Sequence, residues 1–402
     1  GIGYVGRYMS DLSDNFETLQ DMKKEIYLDH AATTQMWPEV KVVMEPYLSD
    51  KYGNASTSYD IGKEAKKAME DARGRIADAI DASPEEIYFT SGGSESDNWA
   101  IKCLAGTQKN KGKHIITSKI EHHAVLNSCE YLEKLGYEVT YLDVDAYGLV
   151  DVQRLRETIR DDTTLITIMY GNNEIGTLEP IREIGNLAHQ HEVIFHTDAV
   201  QVVGQIPMSV RHQPIDCLSA SGHKFHGPKG VGFLYARDGV ALPSFIHGGG
   251  QERGKRAGTE NEAGIEGKAE ALTLSTKRMR QSMRYVERLR DYFVNRLLRE
   301  CEGVRYNGHP SRRLPGNVNV SFSGVEASAL LVLLEEEGIR ASAGSACNTG
   351  ESRVSHVLMA IDVPKEYAPG SIRFTLGAEN TKEEIDRTIQ AVKNDIALLR
   401  QV

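Results

Sequence analysis

The sequence predicts an α/β protein, with a large domain built on a mostly parallel sheet and a smaller α+β domain after it. Three observations carry that prediction. Strand-like and helix-like stretches alternate from residue 87 to residue 197, the rhythm of a parallel sheet covered by helices on both faces. After about Gly258 the pattern changes to long charged helical stretches, then to short mixed elements. A chain of 402 residues also exceeds what one compact core organises, which points to two domains.

Taken in order, residues 1–24 (GIGYVGRYMSDLSDNFETLQDMKK) lack the apolar centre of a signal peptide and read as a leader or appended segment. The folded pattern opens at Glu25-Ile26-Tyr27-Leu28. Ile87 to Thr90 reads as a strand and Ser94 to Leu104 as a helix. His114 to Ser118 is a strand, followed by a helix from His122 to Leu135 closed by Gly136. Strands at Tyr137–Leu142, Leu165–Met169 and Val193–Thr197 alternate with helices at Val152–Ile159 and Ile181–His189. Apolar runs at Ile215–Ala220 and Val231–Tyr235 read as two further strands. Residues 258 to 298 read as one or two long solvent-facing helices. A strand at Asn317–Phe322, a helix at Ala327–Glu337, a strand at Ile372–Leu376 and a helix from about Thr381 complete the chain. The expected domains are 25–275 and 276–402, with the first residues of the former candidates to pack on the latter.

Composition excludes several classes. A net charge of −10 without a basic stripe argues against nucleic-acid binding. No apolar stretch approaches the roughly 18 residues that span a bilayer, so no membrane role is expected and the cytoplasm is the default compartment. Five cysteines, odd in number and without a CxxC pair, suggest neither a disulfide framework nor a zinc ribbon. Cys103, Cys129, Cys217 and Cys301 have apolar neighbours and read as buried small hydrophobes. Cys347 differs, because the run ASAGSACNTG around it reads as an exposed, mobile loop.

The chemistry-bearing stretches fall where predicted strands end, which is where open α/β sheets bind ligands. Ser221-Gly222-His223-Lys224 sits on a glycine-rich loop between two apolar runs. A lysine desolvated there becomes a nucleophile able to form a Schiff base, while a solvated loop lysine is the plain alternative. Thr90-Ser91-Gly92-Gly93-Ser94 is a strand, a glycine turn and a helix start, whose free N–H groups suit a phosphate. A capping box from Ser94 to Asp97 is compatible with the same residues. Asp198 directly follows an apolar strand and could hold a protonated ring nitrogen or cap a helix. His122 opens a helix and could stack on a flat ring; His189, His191 and His196 do not share a face and make a metal site a poor reading. Arg373, in an apolar strand, suits a carboxylate bidentately or a buried ion pair.

The joint order of these stretches closely resembles the cysteine desulfurases of the class V aminotransferase group. The resemblance runs from about Ile26 to the end and rests on ten blocks: YLDHAATT, GNAS, FTSGGSESDN, TSKIEHHAVL, NNEIG, HTDAVQ, SGHKFHGPKG, HGGGQERGKRAGT, GSAC and SIRFTLG. It implies the pyridoxal 5′-phosphate (PLP)-dependent transferase fold of type I, with a seven-stranded sheet in the large domain. It also implies conversion of L-cysteine to L-alanine, with the sulfur left as a persulfide on an enzyme cysteine for iron–sulfur or other acceptors.

By that resemblance Lys224 links covalently to PLP and Asp198 pairs with its ring nitrogen. His122 stacks on the ring and shares in proton transfer, and Asn173 and Gln201 contact the 3′-oxygen and its surroundings. Gly93, Ser94, Ser221 and His223 bind the phosphate, joined by Thr259 of a neighbouring subunit in a homodimer. Arg373, with Asn173 nearby, holds the substrate carboxylate, and Cys347 receives the sulfur. The loop length and GSAC sequence resemble the subgroup serving housekeeping and nitrogenase cluster assembly. Ser94 stands where threonine is frequent and Ala257 where serine is common. A selenocysteine lyase or other β-lyase of the same fold is the alternative, and a scaffold or other sulfur-acceptor protein is the expected partner.

Overall fold

The computed structural model describes residues 24–108, 110–343 and 354–402. Cys347 and nearly all of the expected leader therefore lie outside the described residues.

A seven-stranded sheet forms the centre of the larger part. Its strands are β2 (Ile87–Thr90), β3 (His114–Ser118), β4 (Glu138–Leu142), β5 (Thr163–Thr167), β6 (Ile194–Asp198), β7 (Cys217–Ser221) and β8 (Gly232–Ala236), after a short β1 (Ile26–Tyr27) that lies elsewhere. Their order is β2-β8-β7-β6-β5-β3-β4. Only β8 runs antiparallel to its neighbours. Most of these strands are buried along their whole length, which is why they read as continuous apolar runs rather than alternating ones.

β5 lies two residues upstream of the predicted Leu165–Met169 stretch. Past Thr167 the ladder with β3 has ended and side chains take over part of the bonding, while the Ile168 and Tyr170 N–H groups still donate to the His196 (3.2 Å) and Asp198 (2.9 Å) carbonyls of β6. The Met169 N–H donates to Glu121 Oε1 (2.8 Å), and Thr197 Oγ1 donates to the Ile168 carbonyl (2.7 Å). Apolar pattern alone does not register where polar partners end a strand.

The charged stretch after Gly258 is a single 39-residue helix, Glu262–Glu300, and not a solvent-facing one throughout. Its first part packs Ile265, Ala269, Ala271 and Leu272 into the core around the large sheet. Its later part packs Val286, Leu289, Phe293, Val294 and Leu297 into a second core. Lys268 is fully buried, donating from Nζ to the Gly232 carbonyl at 2.7 Å and lying 4.0 Å from the Phe89 ring centroid. Ser275 falls inside this helix, so a boundary drawn there divides a continuous element.

The second core surrounds an antiparallel sheet of β9 (Val304–Asn307), β10 (Asn317–Phe322) and β12 (Ser371–Thr375). Ile26 and Leu28 belong to it, because β1 pairs in parallel with β11 (Ile339–Arg340). From there the chain crosses into the cleft described below. Cys129 and Cys217 are buried as expected, whereas Cys103 and Cys301 are only partly so.

Phe293 joins the long helix to the strand that carries Arg373, its ring centroid 5.0 Å from that of Phe374. Both rings are fully buried. Phe293→Ala is expected to destabilise the protein by ~3–5 kcal/mol, read as a lowered midpoint in denaturant unfolding; an unmoved midpoint would contradict this packing.

Candidate active site

A cleft of about 310 Å³ opens beyond the carboxyl ends of the parallel strands. Most of its walls come from the ends of these strands, joined by Ala31 and Ala32, His356 and Arg373 from elsewhere in the chain. The chain leaving β2 turns at Gly92 (φ 157°, ψ −174°), a conformation essentially reserved for glycine, and starts the helix Gly93–Leu104 with Gly93 and Ser94 at the cleft. Gly92, not Ser94, is the N-cap residue, so the capping box from Ser94 to Asp97 does not form. A Cβ at Gly93 would stand 2.6 Å from Val200 Cγ2, so the backbone lies too close to the opposite wall for any side chain there. Free N–H groups at this helix start, with Ser221 and His223 lining the same cleft, form a cradle suited to a phosphate. Burial, with Lys224 and Lys229 adding, pushes the His223 imidazole down to about 4, so the ring is neutral at pH 7. Its Nδ1 bonds with Thr33 Oγ1 at 3.0 Å.

Beyond β3, His122 caps the helix His123–Glu133, its Nδ1 accepting from the Ala124 N–H at 3.0 Å. In the neutral ring that bond places the proton on Nε2. Burial lowers the His122 pKa, opposed by the charge of Asp198. Beyond β5, Asn172 builds the turn that presents Asn173: Asn172 Oδ1 accepts from the N–H groups of Glu174 (2.8 Å) and Ile175 (2.9 Å), and its Nδ2 donates to the Ile120 carbonyl (2.8 Å). Asp198 ends β6, its Oδ1 accepting from the Val200 N–H at 3.0 Å. It thus braces a turn and lines the cleft.

Lys224 follows β7 and lines the cleft centrally. Its ammonium donates to the carbonyls of Ala31 (2.5 Å) and Ala32 (2.9 Å), in the segment that arrives from the second core. Gln201 Nε2 donates to the same Ala31 carbonyl at 3.1 Å. Arg373 enters from β12, 2% exposed. One terminal nitrogen donates to the Asn173 carbonyl (3.0 Å) and the other to Asp29 Oδ1 (3.1 Å), while its Nε is buried without a partner among the described residues. An anionic ligand at this point meets a guanidinium already held in place with a donor to spare.

Ten of the twelve expected site residues therefore converge: Lys224, His122, Asp198, Asn173, Gln201, Gly93, Ser94, Ser221, His223 and Arg373. Thr259 does not; it is exposed and lines no part of this cleft. Cys347 lies outside the described residues. The histidines set aside as metal ligands have separate partners: His189 pairs with Asp216 (3.0 Å), His191 with the Leu187 carbonyl (3.0 Å), and His196 with Thr167 (2.7 Å) and Ser219 (2.9 Å). Asp97, His123, Glu174 and His356 also line the cleft. Sequence reading places His123 and Glu174 among the residues that follow predicted strands without giving them a role, reads Asp97 as part of a capping box, and does not single out His356.

The chain belongs to the aminotransferase class-V family, whose model matches residues 26–388. Within that family it stands among the cysteine desulfurases. It is 50% identical over 386 residues to the cysteine desulfurase IscS of Methanosarcina thermophila, covering 96% of this chain and 95% of the relative. It is 51% identical to that of Dictyoglomus turgidum, covering 95% and 97%. A solved NifS-like protein superimposes with a TM-score of 0.88 at 38% identity, over 93% of this chain and 100% of the other.

Glu121 lies fully buried beneath His122, accepting from Met169 N–H (2.8 Å) and Ser118 Oγ (2.5 Å). Burial raises its pKa from the ordinary 4.5 to about 8. Between those values only the folded chain keeps the proton, so rising pH removes stability across that window. Glu121→Gln, which mimics the protonated form, is expected to gain on the wild type as pH rises from about 4.5 through about 8. Denaturant midpoints of both proteins measured across the window check this; a gap that stays constant would mean Glu121 is ionised throughout.

Proposed function

We propose that this protein is a homodimeric, PLP-dependent L-cysteine desulfurase that yields L-alanine and a persulfide on Cys347. The observation that carries the reading is the convergence of Lys224, Asp198, His122 and Arg373, from four distant parts of the chain, on one cleft. The cradle at Gly93, the charge of Asp198 and the unpartnered Arg373 Nε fit a phosphate, a ring nitrogen and a substrate carboxylate respectively. PLP bound there would act as an electron sink that weakens the Cα–H bond of the attached amino acid.

The remaining work belongs to the side chains. The Gly93 and Ser94 N–H groups, Ser221 and His223 hold the phosphate, completed by Thr259 of the partner subunit. The exposure of Thr259, away from its own chain's cleft, supports that division. Asp198 would pair with the ring nitrogen, His122 would stack on the ring, and Asn173 and Gln201 would serve the 3′-oxygen. Arg373 orients the substrate through its carboxylate.

Lys224 is the covalent anchor and then carries the α-proton, with neutral His122 able to hold a proton at Nε2. The Cys347 thiolate attacks the substrate sulfur. An S–S bond forms as the Cβ–S bond breaks, and its electron pair stays on carbon. Protonation of that carbon, with return of the α-proton from Lys224 to Cα, gives alanine, and the sulfur passes to an acceptor such as an iron–sulfur scaffold protein. Among the described residues no helix is long and apolar enough to cross a membrane.

Lys224→Ala is expected to bind PLP without a borohydride-reducible adduct and to lose ~10²–10⁴-fold in turnover. Mass spectrometry after cysteine turnover should find one added sulfur on the Cys347 peptide of the wild type, and none in Cys347→Ser, which still binds PLP. Full sulfide release by Cys347→Ser would refute the persulfide route. Arg373→Gln is expected to raise KM for cysteine about 10- to 100-fold through loss of a charge-assisted pair; an unchanged KM would remove Arg373 from substrate binding.

A further inference from the structure

Asp97 is a buried carboxyl group with no part in the chemistry just described, yet it lines the same cleft. It lies on the helix Gly93–Leu104 and is 1% exposed; the carboxyl of Asp198, within hydrogen-bonding reach of it and lining the same cleft, is 6% exposed. The other groups facing Asp97 are the Ser219 hydroxyl, the carboxyl of Glu121 and the ring of His196, whose Nε2 is 3.6 Å from Asp97 Oδ1. His196 does not supply a cation: burial pushes it down to about 4, and its ring nitrogens already bond with Thr167 and Ser219.

Two carboxyl groups in contact and out of water cannot both ionise cheaply, so such a pair holds one proton and one charge between them. The asymmetry of the pocket decides where the proton sits. Asp198 Oδ1 already acts as an acceptor, receiving the Val200 N–H at 3.0 Å. Asp97 is the deeper of the two, and its Oδ1 has no donor among the described residues. We propose that Asp97 keeps its proton and donates it in a hydrogen bond to Asp198, acting as a positioning residue that fixes the Asp198 carboxylate and its single negative charge against the ring nitrogen of the cofactor. The effect on the cofactor rests on the PLP reading of the cleft; the protonation of Asp97 does not.

Two substitutions separate this from a space-filling role. Asp97→Asn keeps a donor toward Asp198, whereas Asp97→Leu keeps the volume and loses the donor. Infrared difference spectra of the cofactor-free proteins at neutral pH, wild type minus Asp97→Asn, should contain a protonated-carboxyl band, since the band of protonated Glu121 is common to both and cancels. PLP titration of cofactor-free protein should give about 10-fold weaker binding for Asp97→Leu, the loss of one hydrogen bond to a charged group. Asp97→Asn should recover that binding to within about twofold of the wild type, with the pH dependence of the bound cofactor's absorption shifted only in Asp97→Leu. The proposal is overturned by a wild type minus Asp97→Asn difference spectrum without a protonated-carboxyl band, by Asp97→Leu binding PLP as the wild type does, or by Asp97→Asn being as impaired as Asp97→Leu. If Asp97→Leu does not fold, the infrared band and the Asp97→Asn affinity still decide. A wild type that binds no PLP refutes the cofactor reading by itself and leaves the infrared result standing.

Discussion

The site depends on a grip that the chain's opening segment has on Lys224. Ile26 and Leu28 are locked into the second core by pairing with β11 and by the Thr375 N–H, which donates to the Leu28 carbonyl at 2.8 Å. A few residues later Thr34 bonds with the His223 carbonyl, from its backbone N–H at 3.0 Å and its hydroxyl at 2.7 Å. Between these two anchorages the carbonyls of Ala31 and Ala32 take the Lys224 ammonium. Asp29, in the same segment, holds Arg373. One stretch of about six residues thus ties the lysine of the large sheet to the arginine of the small one. Ala31 and Ala32 lie in a turn closed by the Ala32 N–H, which donates to the Asp29 carbonyl at 3.0 Å, so the carbonyls that take Lys224 are drawn from outside both sheets.

Beneath the cleft the protein buries more acid than folding alone would favour. Glu121, Asp97 and Glu174 are all out of water, and burial raises the pKa of each. Each has at least one hydrogen-bonding neighbour, which limits the loss. Glu174 accepts from Ser355 Oγ at 2.6 Å, and its backbone carbonyl accepts from Asn317 (3.0 Å) and Asn319 (2.9 Å) of β10. His356, beside Ser355, bonds with the Glu121 carbonyl at 2.9 Å. The acidic floor is therefore also the seam where both sheets and the helix His356–Ala360 meet, so perturbing a charge there reaches several walls of the cleft at once.

Much of this was legible in the residues. Apolar runs located most strands of the large sheet, and the polar residues directly after them marked its binding edge, because a parallel sheet buried on both faces leaves little else at its strand ends. Legibility failed where a residue's role came from a distant partner. Asp97 reads as a capping residue, yet it faces Asp198 a hundred positions away; Lys268 reads as a solvated helix lysine, yet it reaches a strand carbonyl. The helix Glu262–Glu300 reads as surface because its charges are dense, but two cores claim opposite ends of it.

The sequence by itself determined the alternation of elements, the strand ends at which reactive side chains sit, and the ordered set of blocks shared with cysteine desulfurases. Those are local properties, set by periodicity, turn chemistry and residue type. Tertiary structure alone decided which carboxyl groups are buried beside one another, which carbonyls hold Lys224, and that Arg373 reaches the cleft with one nitrogen unpaired among the described residues. Burial and proximity between remote segments create those properties, and neither is a quantity that any short stretch of residues contains.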